Sequence, residues 1–217
     1  MRKILSICIL AFCITAKPAI AQNDPKAKTV LESVTKKVNS LKSLKASFSI
    51  NLTGGKGGNV NDTKKGTITL KGQKYHVTLT GQEIICDTKT IWTYTKDAKE
   101  VQISNYNPEE QTMSPAKLLT NFYDKEYKYS YKGEKKEKGK TYDLIELLPV
   151  DKSKKYTRIE LMIDKSTSMI AGGNILEKNG NKVVYTVSNV TTNPNVPDTF
   201  FAWDPKEHPG IEVVDLR

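Results

Sequence analysis

The stretch CDTKTIWTYTKDAKEVQIS, residues 86–104, sets Trp92 and Tyr94 two apart, then a charged turn at Lys96-Asp97-Ala98, then Val101 and Ile103 two apart. Successive side chains of an extended chain point to opposite faces, so a period of two marks a strand with unlike faces. Two such runs joined by a few turn residues predict an antiparallel hairpin.

The same period continues on both sides. Upstream, Ala46, Phe48, Ile50 and Leu52 alternate with Ser47, Ser49 and Asn51, and Ile68 with Leu70 mark the next strand. Lys71-Gly72-Gln73 then turns the chain into Tyr75, Val77 and Leu79, and Thr80-Gly81 leads to a strand ending at Cys86. GGKGGNVNDTKK, between the first two strands, reads as a loop. Downstream, Tyr127, Tyr129 and Tyr131, then TYDLIELLPV, YTRIELMID, MIAGGNILEK and KVVYTVSNV carry the pattern on, separated by Lys-rich turns. Strands every 8 to 12 residues or so, with turn signals between, describe an antiparallel meander.

Two segments break the period. In DPKAKTVLESVTKKVNSLKSL, residues 24–44, Val30, Leu31, Val34, Val38, Leu41 and Leu44 recur at helical spacing, with Asp24 as N-cap and Pro25 at the first helical position. SPAKLLTNF, residues 114–122, predicts a short second helix with Leu118, Leu119 and Phe122 on one side. A large sheet cannot leave its apolar face in water. The expected architecture is α+β, mainly β: a curved antiparallel sheet forming an incomplete, half-open barrel with a helical lid over an apolar cavity. The aromatic-rich end, residues 196–217, is placed at an edge or an end of that sheet.

Composition agrees with one folded unit. The 217 residues are 37% hydrophobic and 27% charged, with mean hydropathy −0.50, too apolar for a disordered tail and too polar for a polytopic membrane protein. Residues 1–21 combine Arg2 and Lys3, an apolar run from Ile4 to Ile14 and the triplet Ala19-Ile20-Ala21, the layout of a cleaved signal peptide. The apolar run is shorter than the ~20 residues that span a bilayer. Cleavage leaves a single domain over residues 22–217 with Cys86 as its one cysteine, read as a core residue. Removing Arg2, Lys3 and Lys17 lowers the formal charge from +10 to about +7. That charge is nearly all lysine, with arginine only at 2, 158 and 217, so nucleic acid is not an expected partner. A transient contact with anionic membrane surfaces fits it.

Chemistry-bearing patterns are lacking. His76 should face away from Tyr75 and Val77, and His208 sits in a turn before Pro209; neither comes with ligand spacing. There is no nucleophile elbow or phosphate loop, and Glu109-Glu110 beside Pro108 reads as a pair of surface acids. The expectation is a non-enzymatic binding protein without metal or cofactor.

CDTKTIWTYTKDAKEVQIS resembles the D-G-K-T-[LI]-W-x-Y signature of the periplasmic outer-membrane lipoprotein carrier family, LolA-like proteins, with Asp87, Lys89, Thr90, Ile91, Trp92 and Tyr94 matching and Thr88 in place of glycine. LKSLKASFSI, MSPAKLLTN and FAWDPKEHPGIEVVD resemble three further family segments in the same order. The resemblance implies a monomeric periplasmic carrier that takes the acyl chains of lipoproteins from an inner-membrane releasing complex to an outer-membrane acceptor. By it, Phe48, Ile50, Leu52, Ile68, Leu70, Tyr75, Val77, Leu79, Trp92, Tyr94, Val101 and Ile103 line a lipid-binding cavity, with Thr93 turned to water. Val30, Leu31, Val34, Val38, Leu41, Leu118, Leu119 and Phe122 form the lid. The family's lid-holding Arg-Pro has no counterpart at Lys71-Gly72-Gln73-Lys74. The alternative is a half-barrel that senses lipid or binds a partner protein without transport.

Overall fold

The computed structural model describes residues 24–54, 62–107 and 126–217. Among the described residues a helix, α1 (Pro25–Asn39), precedes eleven strands: β1 (Leu44–Thr53), β2 (Asp62–Lys71), β3 (Lys74–Leu79), β4 (Gln82–Cys86), β5 (Thr90–Thr95), β6 (Glu100–Asn105), β7 (Tyr127–Glu137), β8 (Lys140–Pro149), β9 (Tyr156–Asp164), β10 (Met169–Glu177) and β11 (Lys182–Thr192). A last strand, β12 (Glu212–Asp215), follows two short 3-10 turns. All twelve join one sheet in the order β12-β6-β5-β4-β3-β2-β1-β11-β10-β9-β8-β7. Two meanders, β1–β6 and β7–β11, are therefore stitched together where β1 pairs antiparallel with β11. β12 and β7 stand at opposite ends, so the curved sheet stays open, as expected for an incomplete barrel.

The hairpin turns follow from local chemistry. Gly72 and Gly81 adopt φ of 59° and 79° in the two-residue turns that link β2 to β3 and β3 to β4, a conformation a Cβ disfavours. The predicted loop over residues 54–65 ends sooner than expected: Lys64 and Lys65 already pair with Ile50 and Ser49, while 55–61 lie outside the described residues.

α1 begins where predicted. The Asp24 carboxylate accepts from the backbone N–H of Lys26 at 2.8 Å and Ala27 at 3.3 Å, supplying partners that the first turn lacks. It ends five residues short of the predicted Leu44. Lys42 N–H donates to Asn193 Oδ1 at 2.8 Å and Ser43 Oγ to the Pro194 carbonyl at 2.6 Å, drawing the chain into β1. Leu41 and Leu44 therefore join a second apolar cluster rather than the helix face.

α1 lies against the concave face of the β7–β10 half. Ala27, Leu31 and Val34 are buried there with Tyr127, Tyr129, Ile145, Leu147, Ile159 and Leu161. The N-cap also shields the sheet's end strand: Asp24 N–H donates to the Tyr129 carbonyl, and Tyr131 N–H donates to Asp24 Oδ2 at 2.9 Å. The other half has its own cluster of Leu44, Leu70, Tyr75, Val77, Cys86, Ile91 and Met169. Cys86 is fully buried and burial pushes its thiol up, as its reading as a core residue requires. No helix among the described residues is long and apolar enough to cross a membrane.

Candidate functional site

Between the two clusters the side chains of the described residues fill the concave face incompletely. A cavity of about 330 Å³ lies there, within the range of small-molecule pockets. One wall comes from β1–β3: Leu44, Ala46, Phe48, Ile50, Ile68, Val77 and Leu79. The opposite wall comes from β9–β11, with Ile159, Leu161, Met169, Ile170, Ile175, Val183, Tyr185 and Val187, and Val38 closes the side towards α1. Among the described residues no charged side chain lines it. Burial of apolar guest surface is thus the interaction this site offers.

Pairing explains the two walls. Phe48 lies opposite Val187, Ile50 opposite Tyr185, and Ala46 opposite Ile68, so one face of β1 carries the seam between the meanders. Two aromatic rings lie flat on glycines of the neighbouring strands. A Cβ on Gly66 would come within 2.6 Å of the Phe48 ring, and one on Gly173 within 2.7 Å of the Tyr185 hydroxyl. Bare backbone at these positions lets each ring recline on the floor instead of standing into the cavity.

The expected lining divides by strand. Phe48, Ile50, Ile68, Val77 and Leu79 line the cavity. Leu70 and Tyr75 share their face but are packed into the adjoining cluster. Leu52 pairs with Val183 on the same face, beyond the lining set. Trp92, Tyr94, Val101 and Ile103 are the correction. Counting pairs from the cavity, Tyr75 faces Cys86 and Cys86 faces Ile91, so Ile91 and Thr93 are concave while Trp92 and Tyr94 point the other way. Trp92 pairs with Ile103 and Tyr94 with Val101, which places all four on the convex face. Thr93, expected to meet water there, shares the concave face with Ile84.

The convex face of β3–β6 is apolar because the segment after β11 covers it. Tyr94 meets Trp203 at 5.3 Å and His208 at 5.5 Å between ring centroids, and Trp203 stacks on His208 at 3.7 Å. Phe201 is fully buried, and the Phe200 ring lies 4.4 Å from His76. His76 does face away from Tyr75 and Val77: its Nδ1 meets the Phe200 carbonyl at 2.9 Å and its Nε2 the Glu83 carboxylate. That hydrogen bond from His76 holds the Glu83 carboxyl below its ordinary range. Lys71, in the region where the family's lid-holding arginine is missing, serves this segment instead. Its ammonium donates to the Val196 carbonyl at 2.9 Å and pairs with Asp198 at 2.8 Å. β12 then adds in parallel to β6, sealing that edge as the aromatic-rich end was expected to do.

Of the expected lid, Leu31 and Val34 are buried against the β7–β10 half, Val30 and Val38 pack beside them, and Leu41 belongs to the second cluster. Only Val38 among these touches the cavity. Leu118, Leu119 and Phe122 lie outside the described residues. The wall from β9–β11 was not named from the sequence, although the alternation of Val183, Tyr185 and Val187 carried the signal. Among the described residues no group of His, Cys, Asp and Glu is arranged to hold a metal ion.

The chain is similar to several known proteins. The model described as "Outer membrane lipoprotein carrier protein LolA" matches residues 39–204. An outer-membrane lipoprotein carrier protein of Vibrio parahaemolyticus is 30% identical over 138 residues, which span 62% of this chain and 59% of that relative's own length. Among solved structures, a conserved protein of Thermus thermophilus superposes with a TM-score of 0.61 at 14% identity, over 88% of this chain and 99% of its own. A LolA superfamily protein of Nitrosomonas europaea superposes with a TM-score of 0.45 at 14% identity, over 82% and 98%.

Proposed function

The chain belongs to the LolA family of outer membrane lipoprotein carriers, and from that premise we propose that it is a periplasmic, non-enzymatic carrier of lipoproteins. It takes their acyl chains into the cavity between β1–β3 and β9–β11 and carries them from an inner-membrane releasing complex to an outer-membrane acceptor. Phe48, Ile50, Ile68, Val77 and Leu79 contact the chains, with Leu52, Leu70 and Tyr75 bordering them, and Val38 of α1 closes the side of the cavity. The observation that supports this reading above others is an apolar cavity, without charged lining among the described residues, on a sheet face that their side chains fill incompletely.

The physics suits transport. Burial yields about 0.8 kcal/mol per methylene, so a wholly enclosed set of acyl chains would scarcely be released. A cavity that encloses only part of its cargo keeps the hold reversible.

The test is twofold. Native mass spectrometry of the purified protein with a triacylated peptide should show a complex that the unacylated peptide does not form. Depletion in the producing cell should leave outer-membrane lipoproteins in the inner membrane. A complex without mislocalisation would point to lipid sensing instead, and no acyl-dependent complex would remove the carrier reading.

A further inference from the structure

Among the described residues the cavity wall carries one polar side-chain group, the Tyr185 hydroxyl, and no lining side chain there answers it. Every other lining side chain belongs to Val, Leu, Ile, Ala, Met or Phe. The other tyrosines of the concave face have partners: Tyr131 donates to Asp143 Oδ1 at 2.9 Å, the Tyr127 and Tyr156 hydroxyls meet each other, and Tyr75 hydrogen-bonds Cys86. Tyr185 has no hydrogen-bond partner among the described residues. Its ring reclines over Gly173, which holds the hydroxyl at the cavity floor, beside β10. Burial alone pushes its phenol well above the ordinary tyrosine range. A hydroxyl in an apolar wall with no acceptor among the described residues is left to a guest, and a site holding an unmatched donor discriminates between guests that carry the acceptor and guests that lack it.

Resting on the acyl-cavity reading, we infer that the Tyr185 hydroxyl is a specificity-determining anchor that donates a hydrogen bond to the carbonyl oxygen of an acyl ester. The cavity then selects esterified chains over bare hydrocarbon of equal length. The bond also fixes depth: with the carbonyl held at Tyr185, the alkyl chain runs along the seam formed by Phe48, Ile50 and Val187.

The test separates this contact from packing. Tyr185→Phe keeps the ring over Gly173 and removes only the hydroxyl. Two probes are titrated against both proteins by displacement of a fluorescent fatty acid: a long-chain methyl ester and the n-alkane with the same number of heavy atoms. The ester should lose about tenfold in affinity with Tyr185→Phe, equivalent to about 1.4 kcal/mol, while the alkane holds or gains. Infrared spectra of the ¹³C-carbonyl ester should show a lowered carbonyl stretch bound to wild type, absent with the variant. Equal ester affinity in the two proteins, or equal losses for ester and alkane, would overturn the anchor and leave the cavity reading standing. Binding of neither probe by the wild type would remove both.

Discussion

If the space between β1–β3 and β9–β11 is where a lipid chain goes, filling it from within should expel the guest while leaving the fold intact. Val77 and Val187 face the cavity from opposite walls, and Val77 is only 6% exposed. Replacing either valine by phenylalanine adds about four carbon atoms to the wall. If each displaces about one guest methylene worth about 0.8 kcal/mol, binding weakens by about 3 kcal/mol, or on the order of a hundredfold. The protein itself should not suffer, because the added ring occupies an existing void; filling a cavity commonly adds about 0.5–2 kcal/mol of stability. The combination is what discriminates, since ordinary overpacking costs about 1–3 kcal/mol.

The assay is displacement of a fluorescent fatty acid, with thermal unfolding of each variant alongside. Tyr94→Leu on the convex face is the control. It removes the ring that meets Trp203 and His208 and should leave ligand affinity within about twofold, because its side chain never reaches the concave surface. Val77→Phe binding as tightly as wild type would refute the assignment of the cavity. So would a loss with Tyr94→Leu as large as that with Val77→Phe, which would return the aromatic pair to the lining.

Two further predictions concern stability. Asp164 closes the turn between β9 and β10. Burial raises its pKa, but the Ser166 hydroxyl and N–H at 2.6 and 2.9 Å and the Lys140 ammonium at 2.9 Å outweigh that and bring it to about 2. A carboxyl depressed on folding stabilises above its unfolded pKa of about 3.9 and loses that contribution as pH falls through about 2, so wild type should lose about 2 kcal/mol between pH 5 and 2 that Asp164→Asn never had; equal acid sensitivity in urea titrations of both proteins would contradict this. Thr88 holds φ at 89° in the turn where the family motif carries glycine, so Thr88→Gly should raise stability by about 1 kcal/mol, read as an increased urea midpoint with an unchanged slope; a lowered midpoint would show that the threonine is unstrained.

Much of the fold was legible because its signals are local. Asp24-Pro25 announces α1, and the two-residue turns at Gly72 and Gly81 place three strands in order. Thr88 shows the same logic: the turn needs a left-handed residue there, and the neighbouring Asp87 side chain accepts from the N–H groups of Lys89 and Thr90 to hold it. What a period of two cannot say is which of its faces lies inside. On β4 and β5 both parities are apolar, Ile84 with Ile85 and Ile91 with Trp92, because the sheet is covered on both sides there. Aromatic bulk alone then favoured the wrong face for Trp92 and Tyr94. The second wall escaped for a different reason: β1 meets β11 across more than a hundred residues of chain, and no local pattern states which two strands close a sheet.

The position of α1 bears on how strongly any acyl guest could be held. Its buried Leu31 and Val34, with Val30 and Val38 in part, rest on the β7–β10 half of the concave face, beside the cavity rather than over it. At about 1.5–3 kcal/mol for each fully buried side chain, lifting the helix costs on the order of 5 kcal/mol. A guest confined to the existing cavity avoids that cost but encloses few methylenes; a guest that spreads under α1 buries more and must displace the helix to do so. Either route leaves a net hold well below the full transfer energy of the chains, because a ligand shifts a closed state only by what it gains over the contacts it replaces. A reversible carrier is therefore what this arrangement would make. The displacement titration bounds the idea: an affinity for a sixteen-carbon ester near the ~0.8 kcal/mol per methylene limit would mean that α1 yields at no cost and that release needs another explanation.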